Sequence, residues 1–162
     1  MFELSHEIDY LRWILGEIKS IQARCMKKSS LNIDVEDIAH MIIEFAPNEI
    51  SNGVFANLTI DFIRHDSTRV VTAIGEKGSL RWNGINGTIE LFKVGNNNWQ
   101  RLFSNSNEIE DSYYAEWNNL IDSIENQSSL ETPFTDAIKT LEVIEAAFIS
   151  NEKKIQINLL SD

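Results

Sequence analysis

From Ile18 to about Phe103 the chain alternates apolar and polar residues, with turn residues interrupting roughly every 8 to 12 positions. That grammar is one of strands joined by short links. A parallel pair needs a crossover of about a dozen residues or more, so consecutive strands here must mostly run antiparallel. The clearest strand is Val54 to Phe62, where Val54, Ala56, Leu58, Ile60 and Phe62 point one way and Asn57, Thr59 and Asp61 the other. Further strands are predicted at Ile18 to Met26, Ile38 to Phe45, Arg69 to Ile74, Ser79 to Asn83 and Thr88 to Val94. The turns between them are marked by Pro47-Asn48, Asn52-Gly53, His65-Asp66, Gly75-Glu76-Lys77-Gly78, Asn86-Gly87 and Gly95-Asn96.

Helical spacing frames this stretch. Leu4, Ile8, Leu11 and Leu15 line one face of an opening helix that Gly16 stops, while His6, Asp9, Tyr10 and Trp13 gather on another face. After the strands, a helix is expected from about Ser112 to Asn126, with Tyr113, Trp117, Leu120, Ile121 and Ile124 on one stripe. Thr132 reads as the N-cap and Pro133 as the first position of a last helix, whose stripe is Phe134, Ala137, Ile138, Leu141, Ile144 and Phe148. The basic pair Lys153-Lys154 closes it, and Ile155, Ile157 and Leu159 alternate as a final strand. The sum is one α+β domain over residues 1–162, a predominantly antiparallel (mixed) sheet with helices packed on one face. The other face is left open for solvent or for oligomerisation.

Charge narrows the partners. With 14 basic against 25 acidic residues the net charge is -11, a field that repels phosphate backbones and anionic lipid heads, so neither nucleic acid nor a membrane surface is expected. The sequence has no run near the roughly 20 apolar residues of a spanning helix, and the acidic opening lacks a leader's apolar core. The one cysteine, Cys25, staples nothing within the chain and fits a reducing, cytoplasmic setting.

Few residues point to chemistry. Gly75-Glu76-Lys77-Gly78 has neither the spacing nor the context of a phosphate-binding loop and reads as a hairpin turn. The three histidines are too far apart for a local metal site, and no metal is expected. His40, beside Ala39, Met41, Ile42 and Ile43, reads as a hydrogen-bonded structural histidine, and His65 as a solvated loop residue. Glu3, His6 and Asp9 are sharper, because their three-residue spacing sets a carboxylate within one turn on either side of the imidazole. Such neighbours orient a general acid/base histidine. The same spacing describes a surface histidine in a charged first turn, where acids suit the helix dipole. Tyr113 and Tyr114, with Glu116 and Trp117, have the aromatic character of a sugar-stacking platform, and helical spacing equally suits Tyr113 and Trp117 to a core.

The opening Glu3-Leu4-Ser5-His6-Glu7-Ile8-Asp9-Tyr10-Leu11-Arg12-Trp13-Ile14-Leu15-Gly16 resembles the start of the C-terminal domain of the Gfo/Idh/MocA family, oxidoreductases related to glucose-fructose oxidoreductase and inositol dehydrogenase. Asp37 leading into a strand, the turn Gly75-Glu76-Lys77-Gly78-Ser79-Leu80, a helix opened by Tyr113 to Trp117 and a last helix reaching Ser150 agree in order. The resemblance implies that the glycine-rich Rossmann domain and its Glu-Lys-Pro motif lie outside this chain, which then binds no cofactor alone, with NAD or NADP belonging to the whole enzyme. It implies a catalytic role in proton transfer for His6, with Asp9 beside it and Glu3 standing near the place where many members carry an aspartate and this chain has Phe2. Tyr10, Trp13, Tyr113 and Tyr114 become candidate contacts to a sugar or cyclitol substrate. The expected partners are a sugar-like small molecule, the Rossmann domain in cis or trans, and a second copy of the chain, as homodimer or tetramer through the open sheet face. The rival expectation is a stand-alone, sheet-mediated dimerisation module without catalytic activity.

Overall fold

A computed structural model describes residues 5–49, 51–105 and 109–160. The elements are α1 (Ser5–Leu15), β1 (Ile18–Met26), β2 (Ile38–Phe45), β3 (Val54–Asp61), β4 (Val70–Gly75), β5 (Gly78–Asn83), β6 (Thr88–Lys93), β7 (Gln100–Ser104), α2 (Ile109–Asn126), α3 (Phe134–Lys153) and β8 (Ile157–Asn158). The α+β class is as expected. The strands form two four-stranded sheets, ordered β3-β2-β1-β8 and β4-β5-β6-β7, with antiparallel neighbours in both. The chain divides into two units, Met1–Ile63 with Thr132–Asp162 and Arg64–Glu131, one sheet to each.

In the first unit alternation does what the sequence promises. Ile21, Ala23 and Cys25 on β1 and Ala39, Met41, Ile43 and Phe45 on β2 are buried with Ile8 and Leu11 of α1 and Val143, Ile144, Ala146 and Ala147 of α3. Val54, Ala56 and Leu58 of β3 pack against this core from its margin. A register shift between Ile18 and Ser20 inserts Lys19 as a bulge, so Ile18 and Ile21, three residues apart, both turn inward. Gln22, Arg24, His40, Ile42, Phe55, Asn57 and Thr59 occupy the alternate positions and face away from the helices.

Only Ser20 and Ile21 of β1 pair with β8, and the end of α3 takes over beyond them. The buried Ser150 hydroxyl accepts from Ala23 N at 2.9 Å and donates to Ile155 O at 2.6 Å, and Asn151 Oδ1 accepts from Cys25 N at 2.9 Å. The turn after β1 is closed by Asp37, whose buried carboxylate accepts from Lys28 N and Ser29 N, both at 2.7 Å, and from the Ser29 hydroxyl, with the Lys27 ammonium at 3.4 Å. Burial opposes ionisation, but the Ser29 and Lys28 donors and Lys27 outweigh it and hold this carboxyl well below the usual aspartate range.

In the second unit, Val71, Trp82, Ile89 and Phe103 form one row across the sheet. On the opposite face Arg81 reaches Glu90 at 2.7 Å and lies 4.3 Å over the Trp99 ring, which meets Phe92 edge-on.

Several expectations need correcting. The last helix begins a residue later than predicted: Pro133, extended at φ -71° and ψ 156°, is itself the N-cap, without a side-chain cap from Thr132. Its ring sets φ while leaving ψ extended, and its carbonyl accepts from Asp136 N at 2.9 Å. The predicted α3 stripe is rotated, because Thr140, Val143, Ile144, Ala147 and Ser150 face inward while Phe134, Ile138 and Leu141 are exposed. On α2, Tyr113, Trp117, Leu120, Ile121 and Ile124 are exposed too. Phe62 falls beyond the end of β3 and is exposed, and of the final alternating strand only Ile157–Asn158 pairs. β7 was not predicted as a strand, since Gln100–Ser104 carries no clean alternation.

Two outcomes follow. Ser150→Ala strands the buried Ala23 amide and lowers unfolding free energy by about 1–3 kcal/mol in urea denaturation; a loss below measurement error refutes the clasp. Because the Asp37 carboxyl is depressed in the folded state, its contribution is present above the unfolded pKa of about 4 and is lost as pH falls below it. The stability gap between wild type and Asp37→Asn therefore narrows steadily from pH 5 downward, whereas a pH-independent gap contradicts the assignment.

Candidate functional site

The opening helix presents two chemically different sides. Ile8, Leu11 and Arg12 turn inward and Leu15 packs at the margin, so the apolar positions fix the helix roll. Arg12 sits at an inward position, only 5% exposed, and must be paired there. Its Nη1 donates to Thr140 Oγ1 at 2.8 Å and to Asp136 O at 3.1 Å, and its Nη2 to Asp136 Oδ1 at 3.0 Å and Glu17 Oε2 at 3.4 Å. The Thr140 hydroxyl donates onward to Asp9 Oδ1 at 2.8 Å, and the Lys139 ammonium reaches Glu17. Burial works against the Glu17 charge, but Lys139 and Arg12 prevail and hold its carboxyl below the usual glutamate range. These bonds lock α1 onto the first half of α3. At its other end α1 stops on Gly16, whose φ of +96° suits glycine and whose N–H bonds Arg12 O at 2.8 Å.

With the helix so held, His6 is exposed on its outer side and no hydrogen bond joins it to Asp9. Asp9 instead serves the bridge to α3, a use that its spacing from His6 does not reveal. Tyr10 is half-buried against the core, while Trp13 stands 86% exposed. Glu3 lies outside the described residues. Tyr113 and Tyr114 are exposed on α2, in the other unit. His40 lies on the outward face of β2, its Nδ1 3.1 Å from Thr59 Oγ1, and His65 is exposed. Arg12, Asp136 and Thr140 are the residues sequence reasoning passed over. Their signal was an arginine at an inward position between Leu11 and Leu15.

Other chemistries find little support. Gly75 and Gly78 pair across the β4–β5 hairpin, and the described residues hold no glycine-rich turn from a parallel strand into a helix. A dinucleotide pyrophosphate therefore has no fitting cradle in them. Burial and nearby Glu36 push the Cys25 thiol up to about 11, which leaves it a packing residue rather than a nucleophile. Among the described residues no three His, Cys, Asp or Glu side chains converge as metal ligands, and no helix is long and apolar enough to cross a membrane.

Residues 1–159 match the family model described as "Oxidoreductase family, C-terminal alpha/beta domain". No curated protein matches the chain. Among solved structures, levoglucosan dehydrogenase in complex with NADH aligns with a TM-score of 0.82 at 16% identity, over 98% of this chain and 49% of that one. An oxidoreductase from Agrobacterium radiobacter, in complex with NAD+, L-tartaric acid and magnesium, aligns at 0.76 and 19% identity, over 95% of this chain and 47% of that one. The WlbA dehydrogenase from Bordetella pertussis, in complex with NADH and UDP-GlcNAcA, aligns at 0.72 and 19%, over 99% of this chain and 44% of that one. At these identities the likeness is one of fold. The chain spans about half the length of the structures it matches.

The two sides of α1 separate in mutagenesis. Thr140→Val, which removes both the acceptor for Arg12 and the donor to Asp9, is expected to cost about 1–3 kcal/mol of stability. His6→Ala is expected to stay within about 0.5 kcal/mol of wild type. Thermal denaturation reads both, and a large loss in the His6 variant would reassign that residue to the fold.

Proposed function

The chain belongs to the Gfo/Idh/MocA oxidoreductase family as its C-terminal α/β domain, and from that membership we propose that it supplies the substrate-binding wall of an NAD(P)-dependent enzyme. The substrate class is a sugar or cyclitol, interconverted between hydroxyl and ketone. The observation that carries this reading is the posture of α1: its inner side is tied to α3 through Arg12, Thr140 and Asp9, and its outer side offers His6. An exposed histidine without hydrogen bonds among the described residues, on a helix held at its inner side, suits proton transfer at a substrate oxygen.

In the oxidation direction the imidazole takes the proton from the reacting hydroxyl as the carbonyl forms, and in reduction it returns that proton to the new alkoxide oxygen. The dinucleotide, which accepts or delivers the hydride, is assigned to a nucleotide-binding domain, in cis or in trans. The exposed Trp13 contributes an aromatic face on which a sugar ring packs, and Tyr10 beside it lines the wall with its hydroxyl end. Tyr113 and Tyr114, exposed on α2, are assigned a stacking role toward a sugar-like molecule. Glu3 is assigned the carboxylate that steadies His6. Alone, the chain is inactive. The reading places the enzyme in the cytoplasm and gives it a second copy of itself as partner through an open sheet face.

The test is kinetic. In the holoenzyme that carries this domain, His6→Gln and His6→Ala lower kcat by about 10²- to 10⁴-fold with KM little changed. Unchanged kcat in both variants would remove His6 from catalysis and favour the dimerisation module.

A further inference from the structure

Three asparagines stand directly before a glycine: Asn52-Gly53, Asn83-Gly84 and Asn86-Gly87. In such a pair the glycine nitrogen can attack the side-chain amide carbon of the asparagine, and a residue without Cβ obstructs that approach least. Reaction requires the two atoms to come within about 3–3.5 Å in the right alignment, so the fold decides which pair is able to do so. Asn83 is held, because its Oδ1 accepts from Ile85 N at 3.0 Å and Asn86 N at 3.3 Å, while Gly84 N donates to Arg69 O at 2.8 Å. Asn86 is held in the β5–β6 turn: its Oδ1 accepts from the Thr88 hydroxyl at 2.6 Å, and the Gly87 carbonyl accepts from Asn105 N at 2.9 Å. Asn52 differs. It is exposed in the link from β2 to β3, and its side chain makes no hydrogen bond among the described residues. The Gly53 N–H donates to the Ser51 hydroxyl at 3.1 Å and takes no part in the β2–β3 ladder.

We propose that Asn52 is a site of spontaneous covalent modification, deamidation through a cyclic imide, and that its isoaspartyl product loosens the end of α1. The Gly53 nitrogen bonds to Asn52 Cγ and gives its proton to water; the bond from Cγ to Nδ2 breaks, and Nδ2 leaves as ammonia. Water then opens the ring at either carbonyl, which yields aspartate or isoaspartate with no change of oxidation state. The two products act differently on the fold. Aspartate keeps the backbone and adds a charge at an exposed position. Isoaspartate routes the main chain through the side-chain methylene and so lengthens it immediately after Ser51. That residue steadies Asn48: Asn48 N donates to Ser51 O, and Ser51 N to Asn48 Oδ1, both at 2.9 Å. Asn48 Nδ2 in turn donates to Leu15 O at 2.8 Å, meeting one of the last carbonyls of α1, which the helix itself leaves unmet. Its approach passes over Gly16, where a Cβ would stand 3.0 Å from Nδ2. On the other side of Asn52 the chain is fixed, because β3 begins at Val54 opposite Phe45. The added length therefore falls on the Ser51–Asn48 contact and, through it, on the cap of α1.

Ageing the purified full chain at mildly alkaline pH tests this, with peptide mapping and with labelling by an isoaspartyl methyltransferase and a radioactive methyl donor. In the folded chain Asn52 is expected to convert at least about tenfold faster than Asn83 or Asn86. In the urea-unfolded chain the three are expected to react within about threefold of one another, since each precedes a glycine and the fold no longer separates them. Asn52→Gln, whose extra methylene disfavours ring closure, is expected to lose the early methyl label. Equal rates at the three sites in the folded chain, or an early label that survives in Asn52→Gln, would overturn the site. Hydrogen exchange reads the consequence at the Gly16 amide, which bonds Arg12 O. Exchange there is expected to be about two- to tenfold faster in the isoaspartyl chain than in fresh chain, the worth of one hydrogen bond, and unchanged in Asn52→Asp, which supplies the other product. Unaltered exchange at Gly16 in the isoaspartyl chain, or equal acceleration in Asn52→Asp, would overturn the coupling to α1. None of these outcomes bears on the His6 kinetics.

Discussion

A buried guanidinium holds the first unit together. Arg12 near the start of the chain reaches Asp136 and Thr140, more than 120 residues away, and through Thr140 it takes in Asp9. At such a depth the guanidinium charge needs partners, and its Nη1 and Nη2, though not its Nε, find them among the described residues only with α1 and α3 together in one register. The far end of α3 is fixed independently, by Ser150 and Asn151 on the backbone of β1. Two polar clasps, one at each end of α3, thus set the helices on the sheet, and the apolar residues between them fill the space. The hydrophobic contacts supply most of the burial. The Arg12 clasp and the apolar positions of α1 together set its roll, which turns Ile8 to the core and His6 outward.

Where one physical signal ruled, the sequence was legible. The bounds of β1 and β2 follow from alternation, unbroken in β2 and from Ile21 onward in β1, and from the turns that end them. The rotated stripe of α3 was not legible, because Phe134, Ile138 and Leu141 fit a helical period as well as the buried set does, and the face is decided by long-range bonds of Arg12, Ser150 and Asn151. The same ambiguity affected α2, whose apolar residues keep a helical period yet are exposed. Division into two sheets was also beyond reach, since strand alternation states which residues share a face and says nothing of which strands share a sheet.

The site was legible in part. His6 stood out by its acidic neighbours, yet the reason it can be singled out in the structure is different: Asp9 is engaged with Thr140, and the exposed imidazole has no hydrogen bond among the described residues. A spacing argument cannot see a partner 131 residues away. Tyr10 shows the converse, an aromatic residue proposed for the substrate wall that packs partly buried against the core. Family membership adds what neither spacing nor packing supplies, that the chain matches the C-terminal α/β domain of an oxidoreductase family.

We have proposed that this chain is half of a site, supplying a substrate wall and a proton-transfer group and leaving the dinucleotide to another domain. The most direct measurement is a calorimetric titration of the purified chain with NADH and with NADPH. The account predicts no saturable heat, because the antiparallel sheets and the β4–β5 hairpin offer no pyrophosphate cradle. Stoichiometric binding with a Kd of about 1–100 µM, some 5–8 kcal/mol of affinity, would contradict it.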